Sequence, residues 1–110
     1  MKTVSILGSE WKIIFRNEDE DPKLENNDGY CDWTTREIVI CRYRKPDVMD
    51  CANIPFAIRN TIRHEIVHAF AYESGLAESS EWAQNEEMVD WIARQFSKML
   101  EAFKAIDAMD

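Results

Sequence analysis

The chain has 110 residues, 45% hydrophobic and 31% charged, a balance that suits one domain with a modest core. That apolar share excludes a disordered chain, and charges interrupt every window long enough to span a bilayer. Thirteen basic residues against 21 acidic ones give a net charge of −8, which argues against nucleic acid or an anionic membrane as main partner. Met1-Lys2-Thr3 leads into a strand-like segment rather than a secretory signal, so the expected compartment is the cytoplasm.

The first half reads as strands. Val4 to Leu7 is a short one, and Gly8-Ser9-Glu10 reads as the turn after it. Trp11, Ile13 and Phe15 then alternate with Lys12, Ile14 and Arg16, the period of a strand with one core face. Asn17 to Gly29 holds six acids and one lysine and closes on Asn-Asn-Asp-Gly. Pro22 and the lack of alternating aspartates oppose a calcium loop, so the expectation is a solvated acidic loop. Tyr30–Trp33 and Glu37–Arg42 suggest a hairpin around Thr34-Thr35-Arg36, with β-branched Ile38-Val39-Ile40 as its buried strand.

The second half reads as helices. Asn53-Ile54-Pro55 supplies a polar cap followed by proline in the first turn. The helical pattern runs to Tyr72 or Glu73, and Gly75 is a natural stop. Ile58, Ile62, Ile66, Ala69 and Phe70 make its apolar stripe, while Thr61, His64, Glu65, His68 and Tyr72 share another face. A second helix is expected to start near Ser79-Ser80 and run past Phe103, with Val89, Ile92, Ala93, Phe96 and Leu100 facing the core. The sum is a single α+β domain over residues 1–110: a small, mostly antiparallel N-terminal sheet packed on two helices.

Cysteines offer little chemistry. Cys31, Cys41 and Cys51 are odd in number and lack the tight pairs of a zinc-cysteine site, so free thiols, buried or half-buried, are expected. Trp11, Trp33, Trp82 and Trp91 read as core or half-buried anchors. Arg42-Tyr43-Arg44-Lys45 reads as a solvated strand end rather than a nucleic-acid site.

The segment that carries chemistry is His64-Glu65-Ile66-Val67-His68. Histidines four apart on a helix sit one turn apart on one face, so both imidazoles can reach a single cation. Glu65 projects beside the metal and can take a proton from a metal-bound water. Both histidines of the chain fall in this one pattern. A catalytic zinc wants three protein ligands and an open position, so a carboxylate or thiolate must complete the set. In Asn85-Glu86-Glu87-Met88-Val89-Asp90 the helical rotation prefers Glu86 over Glu87. Asp90, one turn later on the same side, can accept the free ring N–H of a liganding histidine. Tyr72 shares the histidine face and is a weaker candidate for an oxyanion donor.

With these residues in hand a resemblance emerges. His64-Glu65-x-x-His68 followed by Asn85-Glu86-x-x-x-Asp90 resembles the gluzincin pattern of thermolysin-like peptidases, with 17 residues between His68 and Glu86. The small size and strands before the motif helix also resemble the ImmA/IrrE-type minimal peptidases of phages and mobile elements. The resemblance covers roughly residues 54–100. It implies a zincin-like fold, zinc on His64, His68 and Glu86, and Glu65 as general base and acid in hydrolysis of a protein or peptide substrate. Val67 stands where that family usually has glycine, and no separate DNA-binding domain accompanies the motif, so repressor cleavage is not carried over. The competing expectation is a phage-encoded zincin-fold protein that binds a partner with weak or no proteolysis, its acidic surface suited to a basic partner. From the resemblance, an extended substrate is expected to pair with an edge strand, either Tyr30–Trp33 or Glu37–Arg42, bordering the His64–Glu65–His68 face.

Overall fold

A computed structural model describes residues 2–43 and 52–110, without the Tyr43 side chain. Cys51, Arg44 and Lys45, named above, lie outside the described residues. Among the described residues, four strands, β1 (Lys2–Ile6), β2 (Ser9–Asn17), β3 (Gly29–Asp32) and β4 (Glu37–Tyr43), precede three helices. The helices are α1 (Ile54–Glu73), the single turn α2 (Leu76–Ser79) and α3 (Glu86–Ala105). The architecture is α+β, with a four-stranded mixed sheet and two long helices.

The sheet order is β1-β2-β4-β3. β1 and β2 pair antiparallel, as do β3 and β4, whereas β2 and β4 pair parallel in the middle. β3 is therefore an outer strand and β4 an inner one. The first hairpin turn is shorter than the expected Gly8-Ser9-Glu10. Ile6 pairs with Ser9, and only Leu7 and Gly8 turn, both at positive φ (50° and 88°). Such two-residue turns match the twist of the strands they join.

Side-chain alternation divides the sheet into two faces. Ile6, Trp11, Ile13, Ile38 and Ile40 point toward α1 and meet Ala69, with Ile58, Ile62 and Ile66 packed beside them. Burying each large aliphatic group of this kind contributes about 1.5–3 kcal/mol. Phe70, expected in the same stripe, is exposed instead. The far face carries Val39 and Cys41, and Leu24 covers them completely buried. Here the acidic segment departs from a solvated loop. Residues 18–20 and 22–25 form two 3-10 turns that lay Leu24 against the sheet. Asp21 between them is buried, and it accepts hydrogen bonds from the Tyr30 hydroxyl, from Arg16 Nη1 at 3.0 Å and from the Lys23 amide at 3.1 Å.

The motif helix starts and stops where its sequence signals stand. The Asn53 carboxamide accepts from the Phe56 amide at 3.2 Å, Pro55 sits in the first turn, and Gly75 follows the last turn at φ 80°. The Glu73 carboxylate pins that end to the sheet by accepting from Trp11 Nε1 at 2.9 Å and from Arg36. α3 begins later than Ser79-Ser80. Residues 76–84 form α2 and a 3-10 turn, and Asn85 caps α3 by accepting from the Met88 amide at 3.0 Å. Arg63 Nε donates to the Ala93 carbonyl at 2.9 Å, tying α3 to α1. Beyond Ala93 no residue of α3 is fully buried. Phe96, expected in the core, is 57% exposed for that reason. Among the described residues, no helix is long and apolar enough to cross a membrane.

Candidate metal centre

Helical spacing puts His64 and His68 on one face of α1, their ring centroids 4.9 Å apart. The Asn85 cap starts α3 with Glu86 as its first residue, directly over those rings. Each Glu86 carboxylate oxygen reaches one imidazole: Oε2 lies 2.9 Å from His64 Nε2, and Oε1 lies 2.9 Å from His68 Nε2. One ligand atom from each of the three residues falls within a cluster 4.8 Å across. Both Nε2 atoms thus face the Glu86 carboxylate, and His64 Nδ1 faces Asp90 Oδ1 at 3.5 Å. That distance suits an ion-pair partner better than a strong hydrogen bond. Asp90 is also held by Arg94 Nε at 3.0 Å. Glu87 is exposed and not part of the cluster.

Glu65 occupies the buried side of this group, only 6% exposed. Burial pushes its carboxyl up to about 7; the neighbouring His64 opposes the shift and Glu86 adds to it. Burial also lowers the His68 imidazole from its ordinary value, favouring the neutral ring that can bind a cation. The Tyr72 phenol is raised, first by burial and then by Cys31, Glu86 and Glu65. Its ring stacks on Trp33 with centroids 6.2 Å apart. Trp33 is therefore a half-exposed wall beside the site, and Trp82 and Trp91 are equally exposed. Of the four tryptophans expected as core or half-buried anchors, Trp11 is buried in the core and the other three are half-exposed.

A polar hollow of about 340 Å³ opens beside the cluster, lined by Asp28, Gly29, Asn60, Glu65, Glu86 and Asp90 among others. Gly29, the first residue of β3, lets the outer strand approach α1 closely. A Cβ there would stand 2.9 Å from the Val39 carbonyl and 3.0 Å from the Thr61 methyl. β3, which holds most of the expected edge Tyr30–Trp33, is an outer strand whose first residue Gly29 lines the hollow with His64 and Glu65, while Glu37–Arg42 is interior. Asn60 is a residue that sequence reasoning passed over. It sits one turn before His64, and its Oδ1 is buried without a hydrogen-bond partner. Its four-residue spacing from His64 was the available signal.

Neither described cysteine, Cys31 or Cys41, belongs to the His64–His68–Glu86 group. Cys31 packs on the α1 side of the sheet and Cys41 on the far side, so the sheet separates them. Burial pushes the Cys31 thiol up to about 12, leaving it protonated and unreactive. No protein-family model, curated protein or solved structure matches the chain. A functional reading therefore rests on the chemistry of these side chains.

Proposed function

We propose that this chain is a zinc-dependent peptidase with a zincin-like fold, hydrolysing a peptide bond in a protein substrate. The observation that carries the reading is the convergence of two imidazole nitrogens and one carboxylate, with the buried Glu65 carboxyl beside them. Two neutral nitrogens and one carboxylate oxygen form a donor set that zinc accepts in hydrolytic enzymes, with a fourth position left for the reaction. When bound, the metal would supply Lewis acidity, polarising the scissile carbonyl and acidifying water.

The chain's own residues divide the remaining work. His64, His68 and Glu86 would hold the ion, and Asp90, 3.5 Å from His64 Nδ1, would orient that ring. Glu65 removes the proton from the attacking water and returns it to the leaving amine. β3 offers the backbone groups of an outer strand, which suit an extended peptide irrespective of its side chains. Trp33 and Tyr72 form an apolar wall for whatever side chain lies at that end.

The test is digestion of a peptide library by zinc-loaded protein alongside Glu65→Gln. The expected outcome is cleavage by the parent, a fall of about 10²–10⁴-fold in the variant, and equal zinc content in both. Equal cleavage by the two proteins contradicts the mechanism. Zinc binding without cleavage by either leaves a partner-binding protein on the same metal site.

A further inference from the structure

Among the described residues, Asn60 Oδ1 is the one side-chain nitrogen or oxygen that the fold buries without a hydrogen-bond partner. A buried acceptor without a donor has left water and received nothing, so folded proteins satisfy nearly all of them. The surroundings of this exception point to its reason. Asn60 stands one turn before His64 on α1 and lines the polar hollow together with His64, Glu65 and Glu86. Thr61, the next residue, is where Gly29 of β3 closes against that helix. The carboxamide therefore lies beside the candidate metal centre, where the outer strand meets the motif helix.

An extended peptide brings the donor that is missing. In such a chain the N–H and C=O of one residue point to one side, and those of the next residue to the other. A peptide paired with β3 therefore satisfies only every second residue on that strand. The residues between turn their amides toward the helices, where they leave water and need acceptors of their own. Most acceptors that α1 and α3 offer there are engaged. Both imidazoles hold Glu86, Arg94 and His64 hold Asp90, and the Thr61 hydroxyl is spent on the Ala57 carbonyl at 3.0 Å. Glu65 is the base of the proposed reaction. Asn60 Oδ1 alone has no partner to lose.

We propose that Asn60 is a substrate-binding residue whose carboxamide oxygen accepts a hydrogen bond from a backbone N–H of the peptide, at a residue whose amide faces away from β3. The proposal rests on the peptidase reading and adds a substrate requirement to it. Recognition at this point is of the backbone, so the side chain there is free to vary, but proline, which has no N–H, is rejected. Turning the carboxamide to meet the donor breaks no bond at Oδ1, and its last torsion is soft. The contact does not touch the reacting atoms. It holds substrate and transition state alike, so its loss raises KM and leaves kcat.

The experiment is steady-state cleavage by the zinc-loaded full chain and by Asn60→Leu, a change of similar volume that removes the polar atoms. The substrates are the fastest-cleaved library peptide and its analogues in which one backbone N–H at a time, outside the scissile bond, is replaced by an ester oxygen. On the all-amide peptide Asn60→Leu should show a KM about 3–10-fold higher with kcat within about twofold. At one position the ester should cost the parent that same factor and the variant nothing further, whereas esters facing β3 should cost both chains equally. Zinc content should be equal, and the urea midpoint of Asn60→Leu should match or exceed the parent's, since an orphaned acceptor is gone. A lower midpoint assigns Oδ1 a structural partner, such as an internal water, and overturns the proposal. Unchanged KM, or ester losses that agree between the two chains at every position, overturns it while the peptidase reading stands. A zinc-loaded parent that cleaves no peptide overturns the peptidase reading itself, and this contact with it.

Discussion

At the residue scale, Asp90 shows how little separates a bystander from a positioning group. It stands 3.5 Å from His64 Nδ1 while its other oxygen takes Arg94 at 3.0 Å. If His64 binds a cation through Nε2, its Nδ1 carries the proton, and Asp90 is the acceptor in place for it. Asp90→Asn is expected to weaken zinc binding about tenfold, the low end for partners of liganding histidines. Competition against a chromophoric chelator measures this directly, and Arg94→Ala, which spares Asp90, should change the affinity far less. Equal affinity in Asp90→Asn and the parent removes Asp90 from the site. The shared face of His64 and His68 was legible before any coordinates because side-chain spacing is a property of the helix itself, and the rotation of the second helix singled out Glu86 over Glu87. Asn60 was passed over although it stands four residues before His64, because that spacing alone does not mark a buried polar group.

At the element scale, the acidic segment between β2 and β3 was the least legible part of the chain. One leucine among six acids reads as solvated, yet Leu24 is the residue that closes the far face of the sheet. Asp21 is what makes that closure polar and specific. The Tyr30 hydrogen bond is the largest influence holding its carboxyl below the usual carboxylate range, opposed by burial and helped by the Lys23 amide and Arg16. The Tyr30 phenol is correspondingly pushed up to about 12, by burial and by Asp21. A carboxyl whose folded pKa lies below its unfolded value of about 3.9 stabilises the fold fully above that value. The contribution is lost as pH falls below about 4 toward the lower folded pKa. Asp21→Asn should therefore lower the urea midpoint at pH 7 and differ much less from the parent near pH 3. A gap that is constant across this range assigns the loss to packing rather than to the charge. The helices were easier to read, because Asn53, Pro55 and Gly75 mark the bounds of α1 by backbone chemistry alone. The start of α3 was misplaced because Ser79-Ser80 and Asn85 are all competent caps, and only the Asn85 carboxamide accepts the cap bond.

At the scale of the whole molecule, strand identities could be read but their order could not. Alternation fixes which side chains share a face, and it says nothing of β4 lying parallel to β2 with β3 outermost. The same limit explains Phe96. A helical stripe shows that a face seeks apolar company, without saying whether the chain or a second molecule provides it. What the topology does accomplish is to set the first turn of α3 over the third and fourth turns of α1, so that residues 22 positions apart meet at 2.9 Å. The central claim is that this meeting point is a zinc site. Its most direct test is a calorimetric zinc titration of protein stripped of metal, with His64→Ala and Glu86→Ala in parallel. The account predicts one zinc per chain in the parent and a loss of at least tenfold in affinity in each variant. No saturable zinc binding, or binding that both variants retain unchanged, contradicts it.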